Sequence, residues 1–599
     1  MLPAKKKKKP NRQSKKDIMP TSQSVTMAAS GTAPVSGTTA VSGTTVGSGN
    51  ADVEVENEQI QQGASTFGHG SFQRRIFYYG VVALVVLQCH NRLFAFISPH
   101  VDHWCSPTKQ YANLSVALWK NIAIPVDDAD RYSTCLVYAN PGNPNDTTVD
   151  RCARWDYDNS SKRQSVRSFW NLVCERAWMV TLAQAVYMSG ALFVVPATGY
   201  AADTAGRRPV IFGAVFGLVL SSAAGCSAQS FVVYLVARFV SSACASTVHL
   251  LTLILLFEII PLEFRTFYVG FVCSLGVVVA DAFFLLLTPL QKHLSWRFVQ
   301  MITVAPTLVL LSVRSVVYES PIWLISTYRM REAEAVMFKA AVINGARRKE
   351  AERAVDAIVT DFSRTCANLS TSVWDTVTSR TIRFRAISVF FTNFTVMFAF
   401  FVVTGSSRLE GQGVAKIASV VLLVPSYLAM YLALNSCGRL KLLLLLLALL
   451  GGVTALCGIT IYARPVEMSY VFVIAAKATA SVLIPTNYLF IAELFPTAVR
   501  SAVMCGAYTS GRIGAVLAAC IAQLKSVGRE DLGFAIAALA AFASIVVVMQ
   551  LPETSVGTKA TGELRKGKDL LNIMQRSLAP LRSKGHRTRK KKILSGATS

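Results

Sequence analysis

The sequence predicts an all-α membrane protein: twelve spanning helices in two six-helix halves, with a large loop between the first and second helices. Three observations carry that expectation. The chain is 52% apolar and only 16% charged, yet its formal net charge is +26, so its charge must be segregated. Long apolar runs recur along most of its 599 residues, each near the roughly 20 residues that a helix needs to cross a bilayer. Three polar signatures also recur at one offset, the mark of a duplicated unit.

The first signature is Gly199-Tyr-Ala-Ala-Asp203-Thr-Ala-Gly206-Arg207-Arg208, a polar junction between two apolar runs. It is expected to be a tight loop at a membrane face, and its paired arginines place that face in the cytoplasm. A faded copy, Asn435-Ser-Cys-Gly438-Arg439, follows 232 residues on (203 to 435). Glu258-x-x-Pro261-x-x-x-Arg265 returns as Glu493-x-x-Pro496-x-x-x-Arg500, 235 on (258 to 493), and Glu319-Ser320 as Glu553-Thr554, 234 on (319 to 553). Two helical halves related by repetition are how many secondary transporters are built.

Residues 1–73 are rich in Lys, Ser, Thr, Gly and Ala, and are expected to be a disordered cytoplasmic tail with no secretory signal. The first half spans 76–317, with helix 1 at 76–97 carrying Gln88, His90, Asn91 and Arg92 in its outer part. Arg92 either snorkels to the interface or lines a pore. Residues 98–176 are polar and expected outside. There Asn113, Asn145 and Asn159 open glycosylation acceptors, and Cys105, Cys135, Cys152 and Cys174 suggest two disulfides in one of three pairings. The other cysteines lie mostly in apolar runs and read as buried small residues. Helices 2 to 6 are expected at 177–199, 208–228, 231–256, 264–287 and 297–317. A mixed-charge cytoplasmic connection at 318–385, with a helical stretch over 331–361, leads to the second half at 386–550. Its helices are expected at 386–405, 414–434, 440–462, 467–490, 501–524 and 532–550, before a basic cytoplasmic tail at 551–599. An even number of spans puts both termini inside, where basic flanks belong, so the excess charge calls for no nucleic-acid partner.

No part of the chain resembles an ATP engine. Gly562 to Asp569 approaches a phosphate-binding loop, but Asp569 stands where Ser or Thr would hold magnesium, and no buried strand precedes it. With no assembled nucleophile, metal cluster or acid–base pair, enzymatic activity is the least expected class, and no cofactor or metal is called for. Movement of a solute would then draw on a gradient or on exchange. Asp203, Arg207, Arg208, Glu258, Arg265, Glu493 and Arg500 are the candidate gate, with Asp203 at a helix start and each glutamate beside the arginine of its own half. Asn435 lacks the charge of Asp203, so the second lock is expected to be weaker.

Asp281, Lys477 and Arg512 lie deep in apolar runs, where a charge costs about 2.5–3.5 kcal/mol even on a lenient scale, so each must face protein or water. Arg512 sits among Ser510, Gly511 and Gly514, small residues that would let a ligand approach. Lys477, Ile484 and Tyr488 share a helical face, and the set suggests a pocket for an amphipathic anion. Asp281 either neutralises Lys477 or Arg512 in a buried pair, or serves a coupling ion. His249 reads as a packed core residue.

Together these residues resemble the organic ion transporters of the major facilitator superfamily, the solute carrier group that handles organic anions, cations and carnitine. The resemblance runs from helix 1 to Thr554. It rests on His103-Trp-Cys105, Asn171-Leu-Val-Cys-Glu-Arg-Ala-Trp178, the Gly199 to Arg208 motif, Glu319-Ser-Pro-Ile-Trp323 and Ala492-Glu-Leu-Phe-Pro496. His90-Asn91 is similar to the anion branch, in which the asparagine lines the substrate path. Arg512 falls where that branch carries a substrate-attracting arginine, and Tyr488 and Phe398 fall at or near its cavity aromatics. Tyr427, after Pro425, stands where anion carriers often place a lysine. Helix 7 lacks the usual paired tyrosines, the loop has four cysteines where six are more usual, and Asp281 is not a family feature.

The resemblance implies a plasma-membrane, secondary-active carrier of small organic ions, anions first, working by alternating access. Its expected partners are the substrate, a counter-transported anion or co-transported ion, and the lipid bilayer. An organic cation or zwitterion carrier using Asp281 is the second expectation. A membrane scaffold or receptor that no longer transports, and acts through its basic tails, is the third.

Overall fold

A computed structural model of the chain describes residues 70–554, apart from breaks at 100, 127–130, 143–147, 159–163, 290–293, 354, 357–379, 408–412, 464–465, 496 and 522–527. Among these residues twelve helices are long and apolar enough to cross a membrane. They are numbered α1 to α12 in chain order. The first half comprises α1 (Ser71–Ile97), α2 (Trp178–Ala205), α3 (Arg207–Ser227), α4 (Phe231–Ile259), α5 (Leu262–Leu287) and α6, which starts at Trp296–Val304. The second comprises α7 (Arg380–Thr404), α8 (Gly413–Val421 continued by Leu423–Cys437), α9 (Arg439–Ala463), α10 (Val466–Leu494), α11 (Thr497–Ile521) and α12 (Asp531–Val548). The halves meet where α2 packs along α11, and where α5 packs on α8 and α10.

Two boundaries move six residues from those expected: α7 starts at Arg380, inside the expected connection, and α2 ends late. The helix runs on to Ala205 instead of ending at Gly199, and α3 begins two residues later. Only Gly206 breaks the chain, at φ 104°, a conformation open to glycine. Asp203 therefore sits in the last turn of a helix and not at a helix start, so the dipole does not favour its charge. Gly438, at φ 84°, makes the same break between α8 and α9.

Pro306 tightens α6 into a 3₁₀ stretch, Ala305–Ser312, before Val313–Val316 closes the span. Helix α8 is interrupted at Leu422, and α1 opens at Ser71, inside the expected tail.

The loop between α1 and α2 is a small folded unit. Strand β1 (His103–Cys105) pairs antiparallel with β4 (Trp155–Tyr157), and β2 (Leu136–Tyr138) with β3 (Val149–Arg151). Disulfides join Cys105 to Cys152 and Cys135 to Cys174, one of the three possible pairings. Trp104, Trp119 and Ile124 form its core, and the Trp119 indole donates to the Cys105 carbonyl at 2.8 Å. Asn113 is exposed just before a helix, Val116–Ala123, capped by Ser115; Asn145 and Asn159 lie outside the described residues. Of the remaining cysteines, Cys89, Cys273, Cys457 and Cys505 are buried, but Cys437 and Cys520 are exposed on helix surfaces.

In the connection between the halves, helices Pro321–Ser326 and Met330–Ile343 bury Trp323, Ala333 and Met337 together. Asn344 fastens this segment to the start of α1, accepting from the Phe72 N–H at 2.9 Å and donating to Gln73 at 3.0 Å.

Candidate functional site

Three polar layers join the two halves. The first lies where α2, α4 and α8 end, at the face opposite the disulfide-bonded loop. Arg207 is wholly buried there, 3.1 Å from Asp203 and 3.2 Å from Glu258. Glu258 also takes Arg500 of the other half at 3.7 Å, and Asp203 accepts the Ala502 backbone N–H at 3.1 Å. The second half repeats the arrangement: Arg439 lies 3.3 Å from Glu493, and Arg265 is among the charges acting on that glutamate.

This corrects the expected pairing of Glu258 with Arg265 and of Glu493 with Arg500. Within each half the glutamate meets the arginine that follows the glycine break, while Arg500 reaches across the interface to Glu258. The guanidinium planes of Arg265 and Arg500 rest on Phe257 from 4.3 and 4.8 Å. Arg208 is outside the lock: its side chain is exposed and reaches only the Arg314 carbonyl, at 3.5 Å. The weaker second copy keeps its ion pair through Arg439 even though Asn435 carries no charge.

The second layer is central. Arg512 stands 12 residues along α11 from Arg500, roughly 18 Å of helix, and is 5% exposed. Its guanidinium meets the Tyr508 hydroxyl, approaches Asn91 Oδ1 of α1 at 3.5 Å and the Met188 sulfur of α2 at 3.2 Å, and lies 4.6 Å from the Tyr508 ring. Tyr187 donates to Asn91 at 2.9 Å, and Tyr508 shares a hydrogen bond with Ser246 of α4 at 2.9 Å. Among the described residues no carboxylate pairs with Arg512, and its Nε has no acceptor. A permanent cation is thus held in a buried ring of neutral dipoles contributed by both halves. That arrangement can receive an anion.

Beside it, Asn487 of α10 donates to Asn393 of α7 at 3.0 Å, and Asn393 donates to the Ala507 carbonyl at 2.5 Å. Tyr488 is buried next along α10. The glycines around Arg512 do not open space for a ligand, as had been expected. A Cβ on Gly514 would sit 2.5 Å from the Phe394 carbonyl, and one on Gly511 would sit 2.6 Å from Asn393 Nδ2, so both serve close contact between α7 and α11. Phe398 belongs to that seam, stacked on Phe394 at 6.1 Å.

The third layer lies toward the disulfide face, where Arg92 of α1, Asp281 of α5 and Lys477 of α10 meet. Arg92 is ion-paired with Asp281, whose other oxygen lies 3.5 Å from the Lys477 ammonium. Lys477 also donates to Ser419 of α8 at 2.9 Å, and buried Tyr427 reaches the Ser481 carbonyl at 3.4 Å. The carboxylate of Asp281 is thus neutralised by Lys477 and Arg92 and not by Arg512.

A profile of the family described as "Sugar (and other) transporter" matches residues 141–559. The chain belongs to that family. Among curated proteins, this family member is 26% identical over 507 residues to solute carrier family 22 member 6 of Rattus norvegicus, covering 81% of this chain and 90% of that protein. It is 25% identical over 516 residues to the organic cation transporter protein of Drosophila melanogaster, with the same coverage. Among solved structures, the major facilitator superfamily proton:xylose symporter XylE superposes with a TM-score of 0.56 at 14% identity, over 81% of this chain and 97% of that one. The twelve-helix major facilitator fold is thereby shared.

Within this family member the sequence brought forward Arg512, Asn91 and Tyr488; the first two meet at 3.5 Å, and Tyr488 is buried beside Asn487 on α10. The sequence missed Tyr187, Met188, Ser246, Tyr508 and Asn487. Tyr508 was within reach, since it stands one helical turn before Arg512 on the same face. It also missed what the recurring Glu319 and Glu553 do. Glu319 accepts the Arg207 and Arg208 backbone N–H groups at 2.8 and 3.0 Å, and Glu553 accepts those of Arg439 and Leu440 at 3.0 and 3.2 Å. Each carboxylate caps the positive helix start that follows its glycine break.

Proposed function

We propose that this carrier moves small organic anions across the plasma membrane by alternating access, with Arg512 as the central receiving charge and an exchanged anion or co-transported ion as the drive. The disulfide-bonded loop with Asn113 faces outside, and the Asp203 and Arg207 layer faces the cytoplasm, as disulfide chemistry and the basic connection between the halves both favour.

The observation that carries the proposal is the enclosed Arg512 with no carboxylate, placed where both halves contribute ligands. Asn91, Tyr187, Tyr488 and Tyr508 line the same position, and their hydroxyls and amide orient the anion's remaining oxygens. In the inward-closed state Glu258, Arg207, Arg500 and Asp203 hold the halves together. Rocking exchanges these pairs for water as the anion leaves. The cation reading depends on a free Asp281, and two cations already occupy that carboxylate.

The test is initial-rate uptake of labelled organic anions, cations and zwitterions into cells or proteoliposomes bearing the full chain. Saturable anion uptake, competed by unlabelled anions, is expected. Uptake confined to cations or zwitterions would overturn the proposal.

A further inference from the structure

The layer toward the disulfide face has an asymmetry that the central site lacks. Arg92 and Asp281 belong to α1 and α5 of the first half, while Lys477 and Ser419 belong to α10 and α8 of the second. When the halves part on this side, Arg92 and Asp281 leave together as a neutral pair. Lys477 leaves alone with the Ser419 hydroxyl. In the closed arrangement the Asp281 side chain is 2% exposed and that of Lys477 14%, whereas Arg92 keeps 29%. Opening therefore strips Lys477 of the one carboxylate it meets among the described residues and presents an ammonium to the entering solution. It lies 16 residues before Glu493 on α10, roughly 24 Å of helix from the opposite gate.

We infer that Lys477 with Ser419 is an entry site for the carboxylate of an organic anion, and that Asp281 is the built-in competitor that displaces this anion as the face closes. The inference rests on the anion reading above. In the open state the substrate carboxylate takes the place of the Asp281 oxygen on the Lys477 ammonium, with the Ser419 hydroxyl as a second donor. On closure Asp281 returns, and the displaced anion passes to Arg512, a buried cation with no carboxylate partner among the described residues. Asp281 thus closes the face and moves the anion inward in one event. Tyr427 packs where that exchange occurs, which gives a role to its position in α8.

The experiment uses the full chain, with concentration-dependent uptake of a labelled organic carboxylate normalised to surface amount by biotinylation. Lys477→Gln leaves the Arg92–Asp281 pair intact, so it folds, and it is expected to raise KM about tenfold, the worth of one charge-assisted contact. Asp281→Asn leaves Lys477 without its competitor, and is expected to lower both KM and Vmax severalfold. The double variant is expected to follow Lys477→Gln.

Opposite movement of KM from two breaks in one ion pair is what a merely structural salt bridge cannot give. Should Asp281→Asn reach the surface too poorly to assay, Asp281→Glu, which keeps the competitor, must retain wild-type KM while Lys477→Gln does not. An unchanged KM in Lys477→Gln, or shifts of the same sign in both single variants, would overturn the inference. Wild-type protein that takes up no organic anion would overturn the anion reading itself, and is scored separately.

Discussion

Replacing Arg512 with methionine removes the charge that faces Asn91, Met188 and Tyr508 and leaves its neighbours satisfied. Tyr508 keeps its hydrogen bond with Ser246, and Asn91 keeps that of Tyr187. Methionine fills much of the same volume and brings no buried charge of its own. No buried carboxylate is orphaned, because none pairs with Arg512 among the described residues. Folding and surface amount should therefore change little. Transport should change a great deal. A hydrogen bond to a charged group contributes about 1.5–3 kcal/mol, so the KM for an organic anion should rise about 10- to 150-fold. Arg512→Lys keeps the charge but loses the planar fork, and should fall between the two. The assay is initial-rate uptake over a range of concentrations, corrected for surface protein. Unaltered KM and Vmax in Arg512→Met would refute the central role of this residue. Loss of surface protein in both variants would instead make Arg512 a folding residue.

Three further outcomes follow from the same geometry. Glu258→Gln removes the carboxylate that Arg207 and Arg500 share in a fully buried position; breaking such a pair costs about 3–5 kcal/mol, so the closed state should open more often. Faster reaction of buried Cys505, which sits against Gly199 at the crossing of α2 and α11, with a thiol reagent applied from the Asp203 side would report it, and an unchanged rate would count against the lock. Glu319→Gln and Glu553→Gln should each cost about 0.5–2 kcal/mol of capping stability, read as a lower thermal unfolding midpoint, because each carboxylate serves two N–H groups. Gly514→Ala drives a methyl group to 2.5 Å from a backbone carbonyl of α7, and is expected to destabilise the protein by about 1–3 kcal/mol or more, read as loss of monodisperse protein in detergent.

Much of this architecture is written in one dimension. Each span carries its own apolar run and satisfies its backbone within itself, so helix number and order follow from local composition. Duplication was equally legible, because Gly206 and Gly438 must each supply a left-handed residue, and each must be followed by an arginine. The buried ionisable residues announced themselves too, since Asp281, Lys477 and Arg512 are costly in lipid wherever they point. Partnership was not legible. Arg207, Arg439 and Arg500 each had several candidate carboxylates on the same face, and spacing favours the nearest in sequence. Only the approach of the halves sends Arg500 to Glu258. The role of Gly511 and Gly514 was misread for a similar reason: a small residue admits either a ligand or a helix, and the neighbour decides which.

The amino-acid sequence by itself determined the twelve spans, the twofold repeat, the bonded loop with its four cysteines and the presence of three costly charges, because these depend on hydropathy and local backbone chemistry. Tertiary structure alone decided that Asp281 stands between Arg92 and Lys477 while Arg512 stands without a carboxylate. Coulomb attraction falls with distance through space, and residues hundreds of positions apart acquire that distance only when helices from both halves pack together.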